Sequence, residues 1–337
     1  MLRFVPSPRT FTVEEIPAYE PSGTGTHLFL WVEKRGLTTM DAIARIAGAL
    51  DVPARDVGYA GLKDRHALTR QWLSVAGVDP ARALALPSPV EVGDASLETS
   101  WAILRAVPHP HKLRLGHLRG NRFQVVLEGP AGPDQLERLP AIVDRLAAQG
   151  LPNRFGAQRF GVGGDNAAVG LELLRGRRRE RDRRRRRLLL SALQSAVFNR
   201  TLELRAAAGA LTRVMGGDVL QKVDTGGLFV TTDPAVDQPR VDAGQVVPTG
   251  PLPGGREVEP PPGSEARALE DAAIAALGAT RDEFAQAGRE LPGARRPFVV
   301  HPRELRWQAE GGGVRLSFEL PAGVYATVLV DAILAGP

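Results

Sequence analysis

Between Gly58 and Val75 the chain reads GYAGLKDRHALTRQWLSV, with one carboxylate, Asp64, set between Lys63 and Arg65 and followed by His66, Thr69, Gln71 and Trp72. An ionised carboxylate of this kind can act as a nucleophile or stabilise an electron-poor centre. The commoner fate of a Lys-Asp-Arg triplet is a surface ion pair. Three features point further here. Gly58 and Gly61 permit unusual backbone torsions and the close approach of a ligand. The flanking cations are expected to hold the carboxylate ionised. The segment also lies between an expected helix and an expected core strand, where a sheet edge can present a side chain to a cleft.

Other chemistries find little support. The 337 residues include no cysteine, which removes disulfides, thiolate metal sites and a thiol nucleophile, and fits a reducing cytoplasm. There is no G-x-S-x-G elbow and no Walker loop, and GVGGDN (Gly161 to Asn166) lacks dinucleotide spacing and a preceding strand. His109, His111 and His117 are close in sequence, but Lys112 and Arg114 beside them oppose a cation. Phosphate contact is the better reading of that stretch. The net charge of +5 is unevenly spread, with RGRRRERDRRRRR from Arg175 to Arg187. A field of that density attracts polyanions, RNA or DNA first, although a solvated helix start has the same composition. No apolar run of eighteen residues suggests a membrane span, and MLRFVPSPRTF lacks the pattern of a secretory signal.

The elements that must position Asp64 follow from periodicity. THLFLWVEK alternates at Leu28, Leu30 and Val32 as a buried strand. In TTMDAIARIAGALDV, residues Met40, Ile43, Ala47 and Leu50 recur at helical spacing behind a Thr38 or Thr39 cap. QWLSVAG and NRFQVVLEG read as strands, and PDQLERLPAIVDRLAAQG as a helix interrupted at Pro140. The longest helical pattern runs through RRRRRLLLSALQSAVFNRTLELRAAAG, with Leu190, Leu193, Val197 and Leu204 inward and Arg200 and Arg205 outward. Val246 to Arg267 is rich in Pro and Gly and reads as loop, followed by two short helices. The last block alternates through Val314, Leu316, Phe318 and Leu320, turns at PAG and continues as apolar backbone. Sheet-forming ends around a helical middle imply a mixed α/β, or α+β, protein with an inserted domain.

These residues also resemble a known family. GLKDRHALTRQ fits G-x-K-D-x-x-A-x-T-x-Q, the signature of the TruD family of tRNA pseudouridine synthases. The resemblance spans nearly the whole chain. It takes in FTVEEIPAYEPSGTGTHLFLWVEKRGLTT, HKLRLGHLRGNRF, LPNRFGAQRFGVGGDN, LLLSALQSAVFNR, GDVLQ, TGPLPG and LPAGVYAT, in that order.

The resemblance implies the pseudouridine synthase catalytic fold, with a central mixed or antiparallel sheet formed by residues 1–150 and 294–337. A family-specific α/β domain over 151–293 is inserted into it. It implies isomerisation of uridine to pseudouridine in tRNA, at position 13, without cofactor or metal, by a cytoplasmic monomer that has no membrane association. Asp64 matches the catalytic aspartate, which works either covalently at the ribose or through a glycal route. Asn121 and Phe123 match residues that line the site, one to read the edge of a flipped base and one to stack on it, unless Phe123 is a core residue. Tyr325 matches a second aromatic position, and Lys63 is a further candidate for binding the substrate. Gln158 and Arg159 read equally as RNA contacts or as a turn that fixes the domain junction. Lys112, Arg114, Arg119 and Arg122 are candidates for the RNA backbone, in a cleft expected between the two domains. The chain departs from the family pattern at Val5, where a Lys is frequent and Arg3 or Arg9 would have to substitute, and at Asp331 and Ala332, where an Arg-Glu pair is common. The competing readings are the same chemistry on rRNA or mRNA, a non-catalytic RNA-binding or chaperone protein, and a nucleoside glycosidase.

Overall fold

Alternating apolar residues build the first part of the molecule. The computed structural model describes residues 2–87, 90–92 and 98–336. The chain divides into two compact units, one of Met1–Gln149, His301–Ala326 and Val330–Pro337, the other of Gly150–Val300 and Thr327–Leu329. The first unit opens with β1 (Phe11–Pro17), β2 (His27–Arg35), α1 (Thr39–Leu50), β3 (Gly58–Tyr59) and β4 (Leu68–Ala76). It continues with α2 (Pro80–Leu84), β5 (Val90–Val92), β6 (Glu98–His109), β7 (Leu118–Leu127) and α3 (Pro133–Gln149).

The second unit contains β8 (Leu151–Pro152), α4 (Asn166–Leu174), α5 (Arg183–Ala207), β9 (Val219–Lys222), β10 (Leu228–Val230) and α6 (Pro234–Asp242). After these come β11 (Val246–Leu252), α7 (Glu265–Ala276), α8 (Arg281–Gln286), β12 (Ala294–Pro297) and β13 (Val299–Val300). The chain then returns to the first unit as β14 (Arg303–Glu310) and β15 (Gly313–Pro321) and ends in α9 (Ala326–Ala335).

The first unit is a mixed sheet of nine strands in the order β14-β15-β7-β1-β4-β2-β6-β5, with β3 pairing on β4. All pairings are antiparallel except β1 with β4. The mixed α/β class read from the sequence is therefore the class observed. Leu28, Leu30 and Val32 of β2 and Leu73 and Val75 of β4 pack against Ile43, Ile46, Ala47 and Leu50 of α1. Thr38 starts α1 with a capping box: its hydroxyl accepts from the Asp41 N–H, and the Asp41 carboxylate accepts from the Thr38 N–H. Met40 is exposed, so the buried stripe runs through Thr39, Ala42, Ile43, Ile46, Ala47 and Leu50.

Several sequence expectations about individual elements change. Pro140 does not interrupt α3, which is continuous from Pro133 to Gln149. The ring sits on the exposed side, where water can satisfy the carbonyl it leaves without a donor. The Pro-rich segment is loop only after Leu252. Val246–Pro248 pairs with β9 and Thr249–Leu252 with β12, so β11 lies between two partners that each cover part of its length, an arrangement that tolerates proline. Residues 294–300 pair with β11 and β8 inside the second unit, so the return to the first unit comes at His301. The apolar end beyond PAG is a helix, α9.

Arg205 of α5 is the largest departure. It was expected outside, yet it is 2% exposed. Its guanidinium makes a two-pronged pair with Asp218 at 2.6 and 2.8 Å, donates to the Ala210 and Arg213 carbonyls and lies 4.8 Å over the Phe298 ring. A buried charge persists only when it is satisfied this fully. Arg205→Met should therefore strand Asp218 and lower stability by about 3–5 kcal/mol, read as urea unfolding of the second unit. A loss below about 1 kcal/mol would show that the pair is solvated.

Candidate active site

Parallel pairing of β1 with β4 covers only Thr12 to Glu14 against Leu68 to Arg70, after which the two strands part. Past that point β4 takes β3 as its neighbour at Leu73 and Ser74. The chain between β3 and β4, residues 60–67, carries Asp64. Polar side chains at core positions of three strands fix this loop. Glu15 continues the inward alternation of Phe11 and Val13 and is buried. One of its carboxylate oxygens accepts from the Trp72 N–H at 3.3 Å, a donor left free by the parting, and the other accepts from Lys63 Nζ at 2.6 Å. Burial pushes the Glu15 carboxyl above its ordinary value, while Lys63 pulls it back.

Gln71, buried on β4, donates to the Gly61 carbonyl at 3.1 Å and accepts from the Thr39 hydroxyl at 2.9 Å. That hydroxyl in turn accepts from the Lys63 N–H at 2.8 Å. Lys34 extends the alternation of Leu28, Leu30 and Val32 and is 1% exposed. Its ammonium donates to the Leu37 carbonyl at 2.7 Å and to the Asp64 carbonyl at 2.9 Å. The loop is thus held at the Gly61 and Asp64 carbonyls, the Lys63 N–H and the Lys63 ammonium, and none of these bonds holds the Asp64 carboxylate.

The carboxylate of Asp64 is exposed, and one oxygen accepts from the His66 N–H at 2.8 Å in a local turn. Neither neighbour serves it as the sequence reading expected. Lys63 is committed to Glu15, and Arg65 donates to the Gly36 carbonyl at 3.2 Å. The cation that senses Asp64 is Lys34, 30 residues earlier. Burial pulls its ammonium from 10.5 down to about 8; the Asp64 charge resists that fall and Lys63 adds to it. The glycines act differently too. Neither Gly58 nor Gly61 has a positive φ. A Cβ at Gly58 would collide with the Leu113 carbonyl and the Ser74 hydroxyl, so this position needs glycine for close approach, whereas Gly61 has ordinary room.

Asn121 stands directly across from Glu15 in the register of β1 and β7, on the same face. Its side-chain Oδ1 is buried and has no hydrogen-bond partner among the described residues. Phe123 shares that face but is 5% exposed, its ring flanked by Phe11 at 6.1 Å on the β1 side and Phe318 at 5.3 Å on the β15 side. A base stacking on Phe123 has to displace one of those rings. Tyr325 is half-buried at the start of α9.

Arg122 projects from the opposite face and pairs with Glu14 and Glu319. Lys112 reaches the Arg55 carbonyl, while Arg114 and Arg119 are exposed. Gln158 and Arg159 belong to the second unit, where Arg159 donates to Ser195 and lies 5.7 Å over the Phe155 ring. Among the arginines from 175 to 187, Arg175, Arg177, Arg185 and Arg186 are paired with carboxylates. Arg178, Arg179, Arg181, Arg183, Arg184 and Arg187 are exposed.

Val5 is half exposed, with its carbonyl accepting from the Thr10 hydroxyl. Arg3 does not stand in at the site, because its backbone pairs with Glu128, seven residues or about 23 Å along the strand direction from Asn121. Asp331 is exposed on α9. No helix among the described residues is long and apolar enough to cross a membrane.

Comparison with known proteins identifies the family. The family model described as tRNA pseudouridine synthase D (TruD) matches residues 3–181 and 179–333. The chain belongs to the TruD family. It is 46% identical to a tRNA pseudouridine synthase D of Anaeromyxobacter sp. (strain Fw109-5), over 97% of this chain and 91% of that one. It is 39% identical to a tRNA pseudouridine synthase D of Thermus thermophilus, over 97% of this chain and 87% of that one. A crystal structure of a TruD candidate from Methanosarcina mazei superposes with a TM-score of 0.74 over 96% of this chain and 91% of that one, at 20% identity, and so shares the fold.

Sequence reasoning missed Lys34, Glu15 and Thr39 as residues that hold the Asp64 loop. The signal was present, since Lys34 and Glu15 are charges at inward positions of alternating strands. The Lys34 value lies below its ordinary 10.5, so the folded chain releases this proton first as pH rises. This group therefore makes the fold more stable as pH climbs from about 8 to 10.5, because the unfolded chain still binds the proton there. In Asp64→Asn the value should fall further, since the charge that raises it is gone. Lysine 13Cε shifts against pH will show both effects, and titration near 10.5 would mean that Lys34 is solvated.

Proposed function

We propose that this chain converts uridine to pseudouridine within tRNA, at position 13, with Asp64 as its catalytic residue. The observation that carries the reading is an exposed carboxylate on a loop whose backbone is fixed from below by Lys34, Thr39, Gln71 and the Lys63–Glu15 pair. The bond from N1 to C1′ breaks, the uracil turns, C5 bonds to C1′, the C5 proton leaves and N1 takes one up. A carboxylate at the ribose supports this sequence in either of two ways. It can bond C1′ as the base departs, or act through a glycal by moving a proton at the sugar. The anion also stabilises the electron-poor ribose that appears when N1 leaves.

The target base has to leave its stack to reach such a group. Asn121, with its buried Oδ1 unpaired, is suited to accept from an N–H of the uracil edge. The relatives' names give tRNA as the substrate class, and the exposed arginines from 178 to 187 supply positive charge for a polyanion.

Asp64→Asn keeps the volume and the acceptor for the His66 N–H. It should abolish tritium release from tRNA labelled with [5-3H]uridine while leaving RNA affinity within about twofold of wild type. Release at the wild-type rate would remove Asp64 from the mechanism, and free uracil as the product would make the chain a glycosidase instead. Binding should also weaken steeply with salt, log K falling linearly with log salt as phosphate counterions are released. Affinity that is unchanged from low to physiological salt would contradict a phosphate-based interface.

A further inference from the structure

A second cluster in the first unit centres on Tyr19; its 109–118 segment also touches the Asp64 loop, where the Gly116 N–H donates to the Ala60 carbonyl at 2.8 Å. Just past the end of β1, the Ala18 N–H bonds the His117 carbonyl and sets Tyr19 over β2 and β6. The Tyr19 ring stacks on His109 at 5.2 Å and 18°, and His109 sits 4.5 Å from Phe29, a residue of the core cluster with Trp72 and Leu113. The Tyr19 hydroxyl is bonded to His117 Nδ1 at 2.8 Å. The ring is thus held by a stack on one side and a hydrogen bond at its tip, yet Tyr19 is 36% exposed.

An aromatic side chain fixed this firmly and left open to solvent has already lost the rotamer freedom that binding would otherwise cost. Its surroundings carry more basic than acidic side chains. The segments 18–27 and 109–118 contain Lys112 and Arg114 against a single acid, Glu20, while burial pulls His27 and His109 below their ordinary value and so towards the neutral form. Arg114 acts electrostatically on the Tyr19 phenol and Lys112 on His27.

We propose that Tyr19, seated on His109 and tied to His117, is a stacking platform for an unpaired base of the RNA, with Arg114 and Lys112 holding the phosphates beside that base. Aromatic faces flanked by cations take single-stranded nucleotides in this way, tolerant of base identity. The proposal rests on RNA being the substrate. It adds a binding subsite whose work is affinity and register, separate from the chemistry at Asp64.

The test uses the full chain and unmodified tRNA transcripts carrying one 2-aminopurine at each unpaired position in turn. Wild type should quench the fluorescence at one position other than the target uridine. Tyr19→Ala should abolish that quench and weaken binding about 5- to 150-fold, the equivalent of one stacked base. Its single-turnover rate at saturating RNA should stay at the wild-type value. Tyr19→Trp should keep both quench and affinity. Absence of a quench at every such position with wild type overturns the platform whether or not the alanine variant folds, as does wild-type affinity in a folded Tyr19→Ala chain. Asp64→Asn should still give the quench, which separates the two ideas: an active Asp64→Asn chain removes the catalytic assignment alone. A wild-type chain that neither binds nor modifies tRNA removes the functional reading and the platform together.

Discussion

The buried pair between Glu15 and Lys63 is the contact on which the site depends. It joins residues 48 apart in sequence at 2.6 Å, and it closes the gap where β1 and β4 stop pairing. Two strands that part inside a sheet leave backbone donors without partners, and an unpaired buried N–H costs as much as a lost hydrogen bond. Glu15 answers this twice, accepting from the Trp72 N–H with one oxygen and from Lys63 with the other. The ion pair adds little net stability in itself, since removing both charges from water costs about what their attraction returns. What it supplies is position: Lys63 is anchored by its side chain below and by its N–H to Thr39, so the next residue, Asp64, has its backbone placed.

The same division of labour recurs across that face of the sheet. Lys34, Gln71, Glu15 and Asn121 occupy inward positions on β2, β4, β1 and β7 that an ordinary core would fill with apolar residues. Three of them each spend a polar atom on the loop, Lys34 and Gln71 at its carbonyls and Glu15 at the Lys63 ammonium. Asn121 keeps an acceptor in reserve. Polar atoms in a low-dielectric setting are strong when paired and expensive when not, so the row both stiffens the loop and leaves one unfilled demand. The aromatic ladder of Phe11, Phe123 and Phe318 borders this row and keeps its neighbours in register across three strands.

Period-two alternation gave the central strands, and the Thr38 cap placed α1, because both signals are local. The parts that could not be read locally depend on register. In sequence Lys63 and Arg65 are the neighbours of Asp64, but in the fold their charges go to Glu15 and Gly36, and a lysine 30 residues earlier bonds the Asp64 carbonyl. Arg205 was misplaced for a related reason. On a helical wheel a charge marks the outer face, and only the loop that brings Asp218 back beneath α5 makes it an inner one. The sequence leaves Phe123 open between a stacking and a core role because its flanking rings come from β1 and β15, each more than a hundred residues away in the chain and yet next to β7 in the sheet. The prolines of β11 hid a strand whose two partners arrive from opposite directions.

The grip on the Asp64 loop falls on carbonyls, amides and the neighbouring lysine, and passes over the one carboxylate that faces outward. On the role proposed for Asp64, shape and reactivity are stored in different atoms. A lineage that lost the acid would keep the bonds that fold the loop, so silent descendants of such an enzyme would need only one altered side chain, with no architectural scar to betray the change.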